Sequence, residues 1–128
     1  MPLRNVAEYL ERSAARVPDK TAFSDAAGAV SYRQMLHDAQ ALGTVLAVLP
    51  GCRNAPVAVM IGRTAASVTA MQGVLQSGCY YVPIDEQMPE VRMRSILGQV
   101  HARAIVHTAA NEPQARALAD CAPLVSLE

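Results

Sequence analysis

Val57-Ala-Val-Met-Ile61, a helical stretch from Thr64 to Gln76, and Cys79-Tyr-Tyr-Val-Pro-Ile84 decide how this chain folds. Each short run is apolar at consecutive positions, which predicts strands buried on both faces. The stretch between them carries Val68, Met71, Val74 and Leu75 at helical spacing. Two such strands joined through a helix form a βαβ crossover and predict a parallel sheet covered on both sides. The rhythm continues toward the C-terminus. Pro89 stands where the first turn of a helix tolerates proline, and Met93, Ile96, Leu97 and Val100 supply its apolar side. A run from Ala104 to His107, a short helix near Glu112 to Ala119 and a last run from Leu124 to Leu127 follow. The predicted fold class is α/β: layered βαβ with a mainly parallel sheet.

Toward the N-terminus, Asn5 with Glu8 has the pattern of a capping box, and Val6, Leu10, Ala14 and Val17 recur at helical spacing up to Pro18, predicting a helix over Val6 to Arg16. Thr21 to Ser24 and Ala29 to Ser31 flank Asp25-Ala26-Ala27-Gly28, so a small hairpin is expected, with Gly28 at its turn. Ser31 with Gln34 is a second capping-box pattern. It opens a helix with Met35, Ala39, Leu42, Leu46 and Leu49 on its apolar face, ended by Pro50-Gly51. That stripe is too short for a coiled coil and reads as core-facing. With no internal repeat, low-complexity tract or linker, residues 1–128 are read as one α/β unit.

Eleven basic and eleven acidic residues, without a like-charge block, set up no field that would draw the chain to nucleic acid or anionic lipid, so neither partner is expected. A chain of this size can bury roughly two-thirds of its unfolded surface. Cys52, Cys79 and Cys121 form an odd set with no CxxC pair, which argues for a reducing compartment. Arg4, Glu8, Glu11 and Arg12 stand where a signal peptide needs its apolar run, and no stretch reaches the roughly 18 apolar residues of a membrane span. A cytoplasmic location is expected.

In an open parallel sheet, ligands bind beyond the C-terminal ends of the strands, which directs attention to the loops after Ile61, Ile84 and Thr108. Gly62-Arg63-Thr64 could offer helix N-terminal amides and a cation to an anion, or could be a tight turn and a helix cap. Asp85 and Glu86 could serve a metal or act as a base. Alternatively, Asp85 caps the helix at Pro89 or pairs with Arg92 or Arg94. His37, His101 and His107 lack ligand spacing, and the glycines at 28, 43, 51, 62, 73, 78 and 98 are isolated, so no phosphate-cradling loop is present. Composition and spacing assign no catalytic, cofactor-binding or metal residue.

One stretch is more specific. Gly73-Val-Leu-Gln-Ser-Gly78-Cys-Tyr-Tyr81-Val-Pro83-Ile-Asp85 resembles the L-K-A-G-x-A-Y-V-P-I-D signature of amino-acid adenylation domains, within the adenylate-forming (AMP-binding) superfamily. Val57 to Ile61 with Arg63 and Thr64 is similar to that family's preceding strand and helix start. Met88-Pro89-Glu90-Val91-Arg92 resembles its x-P-x-x-R motif, and Val30-Ser31-Tyr32-Arg33-Gln34-Met35 resembles L-[ST]-Y-x-E-L. The motifs follow the family's order from about Asn5 to Thr108. Gln76 and Ser77 replace the signature's Lys-Ala, and Gln34 its Glu. The nearest flavours are nonribosomal peptide synthetase adenylation domains and the D-alanine carrier-protein ligases. On this resemblance Ser31, Tyr32, Gly78, Tyr81, Val82, Pro83, Asp85, Pro89 and Arg92 are signature positions with structural roles. Gly78 ends the helix before it, and Pro83 stops ladder pairing where the chain turns out of the sheet.

The resemblance implies a parent that uses Mg-ATP to convert a carboxylic acid to an acyl-adenylate and passes the acyl group to a thiol, often on a carrier protein. The family's Ser/Thr/Gly-rich phosphate loop, acid pocket, ribose-binding Asp and catalytic Lys have no counterpart in residues 1–128. The expectation is therefore a truncated scaffold, inactive alone, whose partners are the rest of the parent enzyme and a carrier protein. A standalone α/β interaction module, self-associating through a sheet edge or an apolar face, is the alternative; a flavodoxin-like cofactor binder has only the strand-helix rhythm behind it.

Overall fold

The computed structural model describes residues 6–26, 28–48, 55–62 and 64–127. The expectations that rest on Asn5, Leu49, Pro50, Gly51, Cys52 and Arg63 lie outside those residues. In chain order the elements are α1 (Val6–Arg16), β1 (Thr21–Asp25), β2 (Gly28–Ser31), α2 (Tyr32–Ala47), β3 (Pro56–Ile61), α3 (Ala65–Gln76), β4 (Tyr80–Asp85), α4 (Glu90–Val100), β5 (Ile105–His107), a 3-10 turn (Ala109–Asn111), α5 (Glu112–Arg116) and β6 (Leu124–Ser126). β1 and β2 form an antiparallel hairpin, and β3 to β6 form a parallel sheet in the order β4-β3-β5-β6.

Alternation along the central strands supplies two cores. Val57, Val59, Val106 and Val125 face α2 and α3, where Leu42, Leu46, Ala70 and Val74 meet them. Ala58, Met60, Ile84 and Ile105 face α4, α5 and the turns after it, where Met93, Leu97, Ala115 and Leu118 meet them. Burial on both faces is why these strands read as continuous apolar runs. A third cluster, Leu10, Met35 and Ala39, packs α1 and the hairpin's Phe23 and Val30 onto α2.

Several local expectations change on contact with the fold. β4 is an edge strand, not a buried one: Tyr80 is 53% exposed and Pro83 and Asp85 face outward, while Ile84 is buried. Pro83 does not stop the pairing. Val59 and Pro83 are register partners, and the strand runs on to Asp85. The amides of Tyr80 and Glu86 donate to β3 and its approach, so the backbone amides of even-numbered residues point toward β3 and the amide that Pro83 lacks belongs to the open edge. The same absence blunts that edge against another strand.

On α3, buried positions fall on Ser67, Thr69, Ala70, Gly73 and Val74, whereas Val68, Met71 and Leu75 are only partly covered. The reason is a close crossing with α2. A Cβ on Gly73 would lie 2.6 Å from Leu42 Cδ2, so small residues occupy the side that periodicity assigns to large ones. Val17 is exposed because the chain leaves α1 before it. Ser31 caps α2 by accepting from the Gln34 amide, but the Gln34 side chain turns forward to Asp38, so the reciprocal half of the box is replaced. Pro89 is the N-cap of α4 and not part of its first turn, and α5 is shorter than expected, giving way to turns after Arg116. Gly78, just past α3, has φ +84, the left-handed conformation that favours glycine at a helix end. His101 takes the same region at the end of α4, with φ 54.

Candidate functional site at the strand ends

α3 carries the chain from β3 to β4 on one face of the sheet; α4 brings it back past β3 to β5 on the other, and α5 continues on that second face. The loops leaving β3 and β5 therefore part in opposite directions, which is the switch point where open parallel sheets hold ligands.

The chain's own side chains fill that point. Asn111, 1% exposed, accepts from the Thr108 amide through Oδ1 at 2.9 Å and donates through Nδ2 to Met60 O at 3.3 Å and to Glu86 Oε2 at 3.1 Å. One donor below and two acceptors above leave a single orientation for the carboxamide. Glu86 lies over Gly62: a Cβ there would stand 2.6 Å from Glu86 Oε1. Gly62 thus leaves room for the Glu86 carboxylate, and its backbone is not left-handed. Beside the cluster, His107 is buried on β5 with Nδ1 3.1 Å from Thr108 O, which places the ring proton on Nδ1.

The loop from β3 into α3 is occupied as well. Gly62 N–H donates to Ser67 Oγ at 2.9 Å, and Thr64 caps α3 by accepting from the Ser67 amide at 3.3 Å. The first amide of α3, on Ala65, donates to Asp25 Oδ2 at 2.7 Å. Of the two readings of Gly62-Arg63-Thr64, the cap is realised, and the anion at this helix N-terminus is a carboxylate from the β1–β2 hairpin 40 residues earlier. Sequence reasoning missed Asp25 because nothing local pairs a hairpin turn with a distant helix.

Asp85 neither caps α4 nor holds Arg94. It accepts from the Gln87 amide at 2.9 Å, closing the turn after β4. Arg94 binds Glu90 at 3.0 Å, Asp120 at 2.9 Å and the carbonyl of Ala117 at 2.7 Å, pinning α4 to the turns after α5. The Arg94 guanidinium draws the Asp120 carboxyl below its ordinary value, and the two carboxylates raise that of Arg94. Among the signature positions, Ser31 and Pro89 are helix caps, Gly78 a helix end, and Tyr81, Val82, Pro83 and Asp85 parts of the edge strand. Tyr32 opens α2 and packs on the third cluster, and Arg92 is exposed on α4. His37 and His101 are exposed and distant in sequence from the cluster, and among the described residues no group of three His, Cys, Asp or Glu could hold a metal ion. No helix among the described residues is long and apolar enough to cross a membrane.

The profile of the AMP-binding enzyme family matches residues 10–127. The chain belongs to that family. Pyochelin synthetase PchF of Pseudomonas aeruginosa is 41% identical over 103 residues, which cover 80% of this chain and 6% of the synthetase. The crystal structure of IdnL7 superposes with a TM-score of 0.82 at 27% identity, over 93% of this chain and 24% of IdnL7. The nonribosomal peptide synthetase FmoA3, bound to alpha-methyl-L-serine-AMP, shares the fold with a TM-score of 0.85 at 20% identity, over 98% of this chain and 14% of that one. The chain thus spans a small share of each of these relatives.

The family implies ATP, and among the described residues the strand ends of this segment do not fit a triphosphate. The amides that would bind it already serve Asp25, Ser67 and Asn111, and the cleft beside them, about 510 Å³, is lined by Asp85 and Glu86, whose carboxylates repel phosphate. No step of an AMP-binding enzyme's chemistry is therefore routed through these residues.

Proposed function

We propose that this segment is part of the N-terminal scaffold of an ATP-dependent ligase that activates an amino acid or another carboxylic acid as its acyl-adenylate and then transfers it to a carrier-protein thiol. The family match over residues 10–127 carries the reading, and the 41% identity to a pyochelin synthetase supports an adenylation domain of the peptide-synthetase kind. The aminoacyl-AMP held by FmoA3 agrees with it. The substrate carboxylate attacks the α-phosphate of ATP with release of pyrophosphate, so catalysis depends on groups positioned around that phosphorus. In this reading those groups, the Mg-ATP site and the acid pocket come from residues outside the 128, and the partners are the rest of the ligase and a carrier protein. The reaction is placed in the cytoplasm, where Cys52, Cys79 and Cys121 stay reduced.

ATP-pyrophosphate exchange tests the proposal in two forms. The 128-residue chain alone should exchange with no amino acid; turnover by it would overturn the scaffold role. A longer chain carrying this segment and the residues that follow it should exchange with one acid, and failure across amino and aryl acids would overturn the ligase reading.

A further inference from the structure

We infer that Asn111 is a positioning residue, a side-chain wedge that holds β3 and β5 apart at the switch point and sets the placement of Glu86 over Gly62. The inference rests on the ligase reading only for its catalytic consequence. The two strands pair as a parallel ladder, with Ala58 opposite Ile105 and Val59 opposite Val106, and Ala58 N–H donates to Ala104 O. Parallel rungs alternate residue by residue, so the next inward carbonyl of β3 is that of Met60 and the next inward amide beyond β5 is that of Thr108. A continued ladder would join them directly.

Instead the Asn111 carboxamide stands between them: its Oδ1 takes the Thr108 amide and its Nδ2 satisfies Met60 O. The side chain thus stands in for one backbone rung while leaving neither group unpaired. The second Nδ2 bond, to Glu86, fastens the loop after β4 to the same wedge. Strand β3 and the loops after β4 and β5 are held by one buried amide, at the end of the sheet where this fold places ligands.

Two substitutions separate the wedge from an ordinary cap. Asn111→Ala removes it, and the ladder should close. In the isotope-labelled 128-residue chain, a through-hydrogen-bond coupling between Thr108 N and Met60 C′ should appear that the unsubstituted chain lacks. Asn111→Asp keeps the acceptor for Thr108 but turns an oxygen toward Met60 O and Glu86. Thr108 amide exchange should stay as slow as in the unsubstituted chain while that of Glu86 accelerates at least tenfold. A coupling already present in the unsubstituted chain, or unchanged Glu86 exchange in Asn111→Asp, would overturn the wedge; if Asn111→Ala does not fold, the Asp variant decides alone.

In a longer, exchange-active chain, Asn111→Asp should lower kcat/KM about tenfold, since a small misplacement transmitted through the scaffold is costly even when the change lies far from the chemistry, with Glu86→Gln losing far less. Equal kcat/KM in all three would overturn the catalytic consequence. An unsubstituted longer chain without exchange would overturn the ligase reading alone, with the labelled 128-residue chain still deciding the wedge.

Discussion

Two polar junctions tie distant parts of the chain together, and they differ in what surrounds them. At the strand ends, Asn111 joins β3 to the loops after β4 and β5 from a position closed to water; on α4, Arg94 gathers Glu90, Asp120 and the Ala117 carbonyl in the open, with its side chain 38% exposed. Arg94 has the more charge and the shorter contacts. Asn111 has the burial, and burial sets the cost of losing a partner: an exposed group returns to water, whereas a buried one is left with nothing.

That contrast can be broken at either end. The largest effect is expected from Asn111→Leu, which keeps the volume but strands the Thr108 amide and Met60 O and releases Glu86 to the cleft. Chemical denaturation should show a loss of about 3 kcal/mol, and a loss no greater than that of Arg94→Met would refute the ranking. Gly62→Ala forces the Glu86 carboxylate from its seat while sparing the backbone, for about 1 kcal/mol, and a crystal structure should show Glu86 swung toward solvent.

Asp25→Ala removes the carboxylate at the start of α3 and should likewise cost about 1 kcal/mol, read as a lowered denaturation midpoint together with faster exchange of the Ala65 amide. Arg94→Met should give the smallest shift, and it should shrink further in high salt. Its pH dependence has a defined sign. Because Asp120 titrates below its ordinary value in the folded chain, the contribution is present above the unfolded value of 3.8 and is lost as pH falls through the lower folded one. An acid-unfolding midpoint that does not move in Arg94→Met would show that the junction contributes nothing.

The parallel sheet was legible in the consecutive apolar runs, because only a strand covered on both faces dispenses with polar residues. The family was legible in Gly73 to Asp85, since its motifs recur in order. Burial along β4 was not legible, because an apolar run does not say whether its strand lies at the centre or the edge of the sheet. The side chains facing the α2/α3 crossing were missed for a related reason: helical periodicity marks a face but not how near the next helix comes, and Gly73 against Leu42 leaves space only for small residues.

Sequence alone determined the element order, the fold class and the family, all properties of local pattern. The tertiary structure alone decided that Asp25 is the anion at the start of α3 and that Asn111 stands in for a rung between β3 and β5. Those partners lie 40 and 51 residues apart, and hydrogen bonding across such distances follows from where packing brings the chain back, which no spacing in the sequence records.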